Sequence, residues 1–364
     1  MPEYRYLFHD LVTNALVGEI PLAGVTFDPS ALNTDGSFGG AVPALDVASF
    51  AALDVLGATE PARRVLYVER DGRVVYAGIV WTRRYSSADG RVVLGGSEPS
   101  SYLRHRMAQT QTVDTYTAAN DRQIFADRVN MAGSAIGLAA GAATGPGNLR
   151  SRSYVALDLV PYAEQIDSLA EEGFEYANEV GPDVGAGPKK LLTYAALRGR
   201  SADASGLVFE YPGNVAAFDW PEDAGAMAAY VWGAGRPTEA STAVDLVVSS
   251  ANAARYTTEG YPFLEAVIRP DVRDVAELQR KTDAERVRRD LPAVLPSIEV
   301  AGGQLPGLGD YVVGDRARLY LTDPRRFPFP FEGYARILTQ RVAVSPAGVE
   351  RVSLTLLPWP DATT

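Results

Sequence analysis

Tyr76–Leu94, YAGIVWTRRYSSADGRVVL, returns near the other end of the chain as Tyr334–Leu354, YARILTQRVAVSPAGVERVSL. Aligned without gaps, Tyr76, Ala77, Ile79, Arg83, Ser87 and Gly90 fall on Tyr334, Ala335, Ile337, Arg341, Ser345 and Gly348; after two inserted residues, Arg91, Val92 and Leu94 fall on Arg351, Val352 and Leu354. Upstream, Leu66 and Tyr67 match Leu319 and Tyr320. Short strands resemble one another through shared Val, Ile and Tyr preference, but here the order also repeats: strand, connection, strand opening on Tyr-Ala, turn, last strand. The pattern predicts a three-stranded meander used twice, by internal duplication.

Working outward, 364 residues exceed one ordinary domain and predict two to four units. Apolar residues at 46% and charged residues at 22% are globular values. With no cysteine, disulfides, thiolate zinc sites and Cys nucleophiles are excluded, and with His9 and His105 as the only histidines, imidazole catalysis and metal binding have almost nothing to work with. A net charge of -11 argues against gripping duplex phosphates. The start MPEYRYLFHD lacks a basic end followed by an apolar run, so no signal peptide is expected, and no window reaches the roughly 18 apolar residues of a membrane span.

The opening alternates, Tyr4, Tyr6 and Phe8 against Arg5 and His9, as a half-buried strand does. Val17–Val25 predicts a second strand and Asn33–Gly40 a Gly-rich turn region; Val65–Glu69, Val74–Arg83 and Arg91–Leu94 form the first meander, with Asp71-Gly72 and Asp89-Gly90 as hairpin turns. Residues 1–104 are therefore expected to form an antiparallel barrel or sandwich. The period then changes. Asn120 and Gln123 make a capping box before Ile124, Phe125, Val129 and Ala132, and Ile166, Leu169, Ala170, Gly173 and Ala177 mark a second helix. Between them, residues 132–147 are almost all small and are expected to be flexible or closely packed but not core-forming. Residues 105–205 thus read as an α+β insertion.

Strands resume over Leu207–Tyr211, Ala216–Trp220, Ala226–Gly233 and Val244–Ser249, and 206–292 reads as a β-rich middle region ending in a charged helix at 271–290, whose six acids balance six bases as on a solvated face. Residues 293–364 hold the second meander. The expected fold is mainly β with an α+β insertion: two related antiparallel, tube-like β-barrel domains flanking a mixed α+β middle region.

Chemistry is scarce. There is no GxxxxGK[ST] and no GxSxG, and Gly141–Gly147 lacks the lysine and the preceding strand of a phosphate cradle. Asp219, Glu222 and Asp223 beside Trp220 could form a glycosidase carboxylate pair, but turns attract these residues for backbone reasons. No catalytic, cofactor or metal site is expected. The odd piece is DPRRFPFPFEG, residues 323–333, where the second copy spends five residues more than the first. Arg325, Arg326, Phe327, Phe329 and Phe331 suit a subunit-interface loop, stiffened by Pro328 and Pro330. Equally, the rings could cap their own barrel.

Taken together, YAGIVWTRRYSS followed by SYLRHR, EYPGNVAAFDWPEDAGAMAAYVWGAG, the Tyr261-Pro262 corner, the 271–290 helix, GDRARLYL and GVERVSLTLLP resemble the tail hub proteins of long-tailed actinobacterial phages, the minor tail proteins that are similar to baseplate hubs. The resemblance implies a structural virion protein at the tail tip, synthesised and assembled in the host cytoplasm. It implies a homotrimer whose paired barrels adapt a six-fold tail tube to a three-fold tip, with the distal tail protein, the tape measure protein and other minor tail proteins as partners. DNA would pass through without being specifically bound, and no membrane insertion is implied. The alternatives are a distal tail ring protein, which has one tube-like barrel per chain, and a carbohydrate- or receptor-binding tail component.

Overall fold

The computed structural model describes residues 2–29, 32–108, 113–171, 173–183, 187–235, 247–270, 275–301 and 304–359. Residue contacts separate a larger unit, 1–218 with 297–364, from a smaller one, 219–296.

The larger unit opens with β1 (Tyr4–Asp10), β2 (Leu16–Glu19), β3 (Leu22–Ala23), β4 (Val25–Phe27) and β5 (Ser37–Pro43). The single strand expected over Val17–Val25 is three short ones, because Pro21 cannot donate to a ladder and Gly24 turns the chain at φ 68°. The turn region expected over Asn33–Gly40 already enters β5 at Ser37. Two short helices follow, α1 (Val47–Ala52) and α2 (Val55–Ala58), each capped by an aspartate: Asp46 accepts from the Ser49 amide and Asp54 from the Gly57 amide. Neither is long enough to show a helical period in sequence.

The first meander is β6 (Arg64–Arg70), β7 (Arg73–Ser86) and β8 (Arg91–Ser97); β1 flanks β6 and β5 flanks β8. The middle of β6 and of β7 is buried residue after residue, without alternation. Both faces are covered, which is why these segments read as continuous apolar runs. On one face Val65, Tyr67, Ala77 and Ile79 join the core of the α+β insertion. On the other, Tyr76 meets Phe27 and Phe38 at ring-centre distances of 5.4 and 6.2 Å.

The insertion contains β9 (Val113–Asn120), α3 (Asp121–Gly133), β10 (Leu138–Ala140), β11 (Leu149–Val155), α4 (Tyr162–Ala170), β12 (Glu175–Asp183), β13 (Pro188–Ala195) and α5 (Ala202–Ser205). Asn120 caps α3 by accepting from the Arg122 amide at 3.0 Å. Two expectations are corrected here. The second helix stops at Ala170, since Gly173 sits at φ 121° and Ala177 lies on β12. The small-residue tract does enter the core: Ala132, Ile136 and Leu138 are buried, and β10 adds parallel to β13. Small side chains let a strand approach its neighbours closely, so of the two expectations for this tract, flexible or closely packed, the second holds.

After β14 (Val208–Tyr211) and β15 (Val215–Asp219), the smaller unit holds β16 (Tyr230–Ala234), β17 (Val247–Ala251), α6 (Ala253–Thr257), β18 (Glu265–Ile268) and α7 (Val275–Arg289), with sheet order β17-β16-β18. Parts of the expected strand at 244–249 and helix at 271–290 lie outside the described residues. The charges of α7 pair among themselves, Glu285 holding Arg288 and Arg289 at 2.6 Å each, while Leu278 and Thr282 are fully buried. The hydrogen bond from Arg288, then that from Arg289, and the charges of both hold the Glu285 carboxyl down to about 2 against the opposing effect of burial.

The chain returns to the larger unit with β19 (Ser297–Val300), β20 (Arg316–Leu321), β21 (Phe331–Val344) and β22 (Glu350–Trp359). This second meander matches the first: β7 and β21 are both 14 residues long. β19 flanks β22 as β5 flanks β8, and β15 flanks β19 as β4 flanks β5. β14 joins β20 where β1 joins β6, though in parallel.

The pairing also sets the register. Trp81 bulges out of β7 and Leu338 out of β21; the carbonyls just before them, of Val80 and Ile337, accept at 2.8 Å from Ala62 and Gly314. The sequence alignment is therefore one residue out along this strand. Its upstream match is two residues out, because Tyr67 faces Ala77, whose counterpart is then Tyr334, and Tyr334 faces Arg318, not Tyr320. Consequently the connection before β21, residues 322–330, replaces a turn of residues 71–72, a difference of seven residues and not five.

Two separate barrels do not follow. Val25–Phe27 of β4 pair with Val342–Val344 of β21, so both copies lie in one 14-stranded sheet running from β15 to β2. Among the described residues this sheet does not close on itself.

Candidate interaction surface

The seam between the two copies shows what this sheet does with an open strand edge. β7 and β21 are longer than the strands before them, so each projects past its meander and leaves the far half of one edge unpaired by its own hairpin partner. In β21 that edge is filled by β4, which leaves Val342 fully buried. Charges reinforce the seam: Arg70, ending β6, donates from Nε to Glu350 Oε2 at 2.7 Å, and the Tyr4 hydroxyl donates to the same oxygen. Burial is the largest single effect and opposes the charged form of Arg70, but the hydrogen bond and charge of Glu350, with Tyr4 and Asp71, together outweigh it and the guanidinium pKa is raised. Burial, and then Glu350, push the Tyr4 hydroxyl well up, so it remains a donor.

In β7 the corresponding stretch, Thr82–Ser86, has β8 as its one neighbouring strand among the described residues. Tyr85 stands opposite Val92 as Val342 stands opposite Val352, yet Tyr85 is 66% exposed. On the opposite face of the strand from Tyr85, Thr82, Arg84, Ser86, Arg91 and Val93 line an open groove of about 540 Å³ that extends to Gly39 and Gly40 of β5.

One end of the sheet is β15, with Ala216, Ala217 and Asp219 exposed. The Phe-Pro connection lies against it. Phe327 stacks on Phe218 of β15 at 6.1 Å, Phe331 meets Phe327 at 5.4 Å, and Tyr211 closes the cluster edge-on to Phe218 at 5.0 Å. Arg326 lies over the Phe327 ring at 4.9 Å, and Asp323 turns the chain by accepting from the amides of Arg325, Arg326 and Phe327. Arg325 is exposed, and Phe329 is 85% exposed. Of the five residues singled out in sequence, then, Phe327 and Phe331 pack on their own sheet while Phe329 points away from it.

Asp223 accepts from the Gly225 amide at 2.7 Å and pairs its backbone with Ala293, and Asp219 and Glu222 are exposed. His9 is buried, its Nδ1 2.8 Å from the Asn14 carbonyl and its ring edge-on to Tyr67; His105 packs against Trp81 at 4.9 Å. Among the described residues no group of His, Asp and Glu could hold a metal ion, and no helix is long and apolar enough to cross a membrane. The two edges themselves were hidden from sequence reasoning. Their signal was available: two long strands of equal length, of which one ends in Val-Ala-Val and the other in Arg-Tyr-Ser.

No family model and no curated protein sequence matches the chain. Solved structures do share its fold. The tail protein from Neisseria meningitidis MC58 superposes over 99% of both chains with a TM-score of 0.62 at 15% identity. The 43 kDa tail protein of prophage MuSo2 from Shewanella oneidensis gives 0.64 at 12% identity, over 99% of this chain and 100% of its own. An Escherichia coli component of the type VI secretion system, described as structurally similar to the T4 bacteriophage tail proteins gp27 and gp5, gives 0.51 at 9% identity, over 94% of this chain and 76% of its own. The chain thus has the fold of phage tail proteins.

Proposed function

We propose that this chain is a structural, non-enzymatic component of a phage tail, and within it the tail hub of a long-tailed, actinobacterial-type virion. The observation that carries this is the equivalence of the two meanders, strand for strand, about the β4–β21 seam. A six-fold tube continues onto a three-fold ring when each subunit offers two equivalent docking units, and duplication within one chain supplies them. Three chains present six such units, and the open sheets of neighbouring chains join into a closed, tube-like wall of barrel domains. A distal tail ring with one unit per chain would need six chains, so the duplicated sheet favours the hub.

The division of labour follows from the parts. The two meanders, within 1–104 and 293–364, form the ring, and the insertion at 105–205 covers one face of the first meander. The -11 net charge suits a channel that passes DNA without holding its phosphates. Partners would be further copies of the chain, the distal tail protein above, and the tape measure and other minor tail proteins about the tip.

The test is the mass of the purified chain by light scattering across a range of concentrations. A particle three times 39.0 kDa supports the ring. A hexamer reassigns the chain to the distal tail ring, and a monomer at every concentration favours a peripheral binding component.

A further inference from the structure

We infer that β15 of one chain docks on the Thr82–Ser86 edge of β7 in a second copy, reproducing between chains the β4–β21 seam found within one. This rests on the ring of chains proposed above. Each half of the contact is visible. The strand that would dock, β15, occupies in the second meander the place of β4 in the first, next to the strand that flanks the last strand of the meander, and it ends the sheet with Ala216 and Ala217 exposed. The receiving edge lies just past the bulge at Trp81, as the filled edge of β21 lies just past the bulge at Leu338. An exposed strand edge with an exposed tyrosine on it is a place where another strand adds.

Charge supports the same occupant. Within the chain, Arg70, beside the turn between β6 and β7, meets Glu350, beside the turn between β21 and β22. Carried over to the contact between chains, the connection between β20 and β21 meets the turn between β7 and β8. The first carries the exposed Arg325 and Arg326, and the second carries Asp89, 51% exposed at its side chain. Asp89 pairs within its own turn with the more exposed Arg91 at 3.8 Å, so Arg325 and Arg326 would meet a carboxylate already shared with Arg91, and the Phe327–Phe218 stack holds their loop against the docking strand. The contact is head-to-tail, each chain offering one β15 and one β7 edge, so it propagates until it closes.

The chain has no cysteine, so engineered disulfides report this contact cleanly. The experiment oxidises the full-length double variants Y85C/A216C and Y85C/A217C, with Y85C alone as control and T26C/A343C, opposed across the internal seam, as a positive control. At least one double variant is expected to give covalent dimers and trimers on a non-reducing gel, T26C/A343C to stay one chain, and Y85C alone to stay uncoupled. In addition, Tyr85→Lys should raise the concentration for half-assembly by about tenfold or more while leaving the unfolding midpoint unchanged. A trimer by light scattering that neither double variant cross-links overturns this contact and leaves the hub proposal standing. Coupling of Y85C alone means edge-to-edge pairing of two β7 strands and also overturns it. Cross-linked chains that run past trimer keep the contact and remove the three-chain ring.

Discussion

Arg70 Nε lies 2.7 Å from Glu350 Oε2, across 280 residues of sequence, and this pair clamps the end of one meander to the turn of the other. Their side chains are 23% and 12% exposed, so water competes poorly for either charge. Replacing Glu350 with Gln removes the charge and keeps the shape. A charge-assisted hydrogen bond contributes about 1.5–3 kcal/mol, and a loss in that range is expected for E350Q in urea unfolding. Arg70→Met should cost a similar amount, and the double variant less than the two together. Strict additivity would show that the two residues act separately.

Burial brings Lys190 down to about 8, its Nζ donating to the Leu11 carbonyl at 3.3 Å and to Asn14 Oδ1 at 3.2 Å. The unfolded lysine keeps its proton to about 10.4. Between pH 8 and 10 the unfolded state therefore binds more protons than the folded one, and stability rises with pH, by up to about 1.4 kcal/mol per pH unit. Urea unfolding of the parent and of Lys190→Met at pH 7, 8, 9 and 9.5 should show the parent gaining on the variant above pH 8. A constant gap between the two would show that Lys190 does not lose its proton in this range.

In the smaller unit, a Cβ on Gly233 of β16 would come within 2.0 Å of Thr282 Oγ1 on α7. The helix sits this close because position 233 has no side chain. Gly233→Ala should therefore push α7 outward and destabilise the smaller unit by about 1–3 kcal/mol. Thr282→Ala removes the obstructing hydroxyl at small cost, since that hydroxyl bonds only within its own helix, to the Leu278 carbonyl. The double variant should recover most of the loss in thermal unfolding. If it does not, the backbone at Gly233 matters and the contact with Thr282 does not.

Sequence showed the repeat because the faces of both meanders are buried, and burial enforces Val, Ile, Leu and Tyr at fixed places. It did not show how the copies join. The joining segment, β4, is three residues long, too short for a period to appear. Nor did the sequence show which charged residues are buried. Arg128 is fully buried, paired to Asp114 at 3.0 Å and flanked by the Tyr154 ring at 4.7 Å, and Arg336 is buried against Glu175 at 2.7 Å. Each pairs with a carboxylate that no local pattern announces, Asp114 14 residues away and Glu175 161 residues away. The interface loop was legible as an oddity, but only the fold divides its rings between the two roles open to them.

That division can be tested ring by ring. Phe327 is held between Phe218 and Phe331, so Phe327→Ala removes packing from the monomer and should lower its thermal midpoint. Phe329, at 85% exposed, contributes little to the fold of one chain, and Phe329→Ser should leave urea unfolding within about 0.5 kcal/mol of the parent. If the loop serves an interface, the same variant should weaken assembly, seen as a fall in the light-scattering mass at a concentration where the parent is trimeric. An apolar ring that is costly to expose in water, stiffened between Pro328 and Pro330, loses little entropy when it docks, so its effect should fall on association and not on folding. A variant that unfolds early and assembles normally would reverse the assignment and make Phe329 a cap on its own sheet.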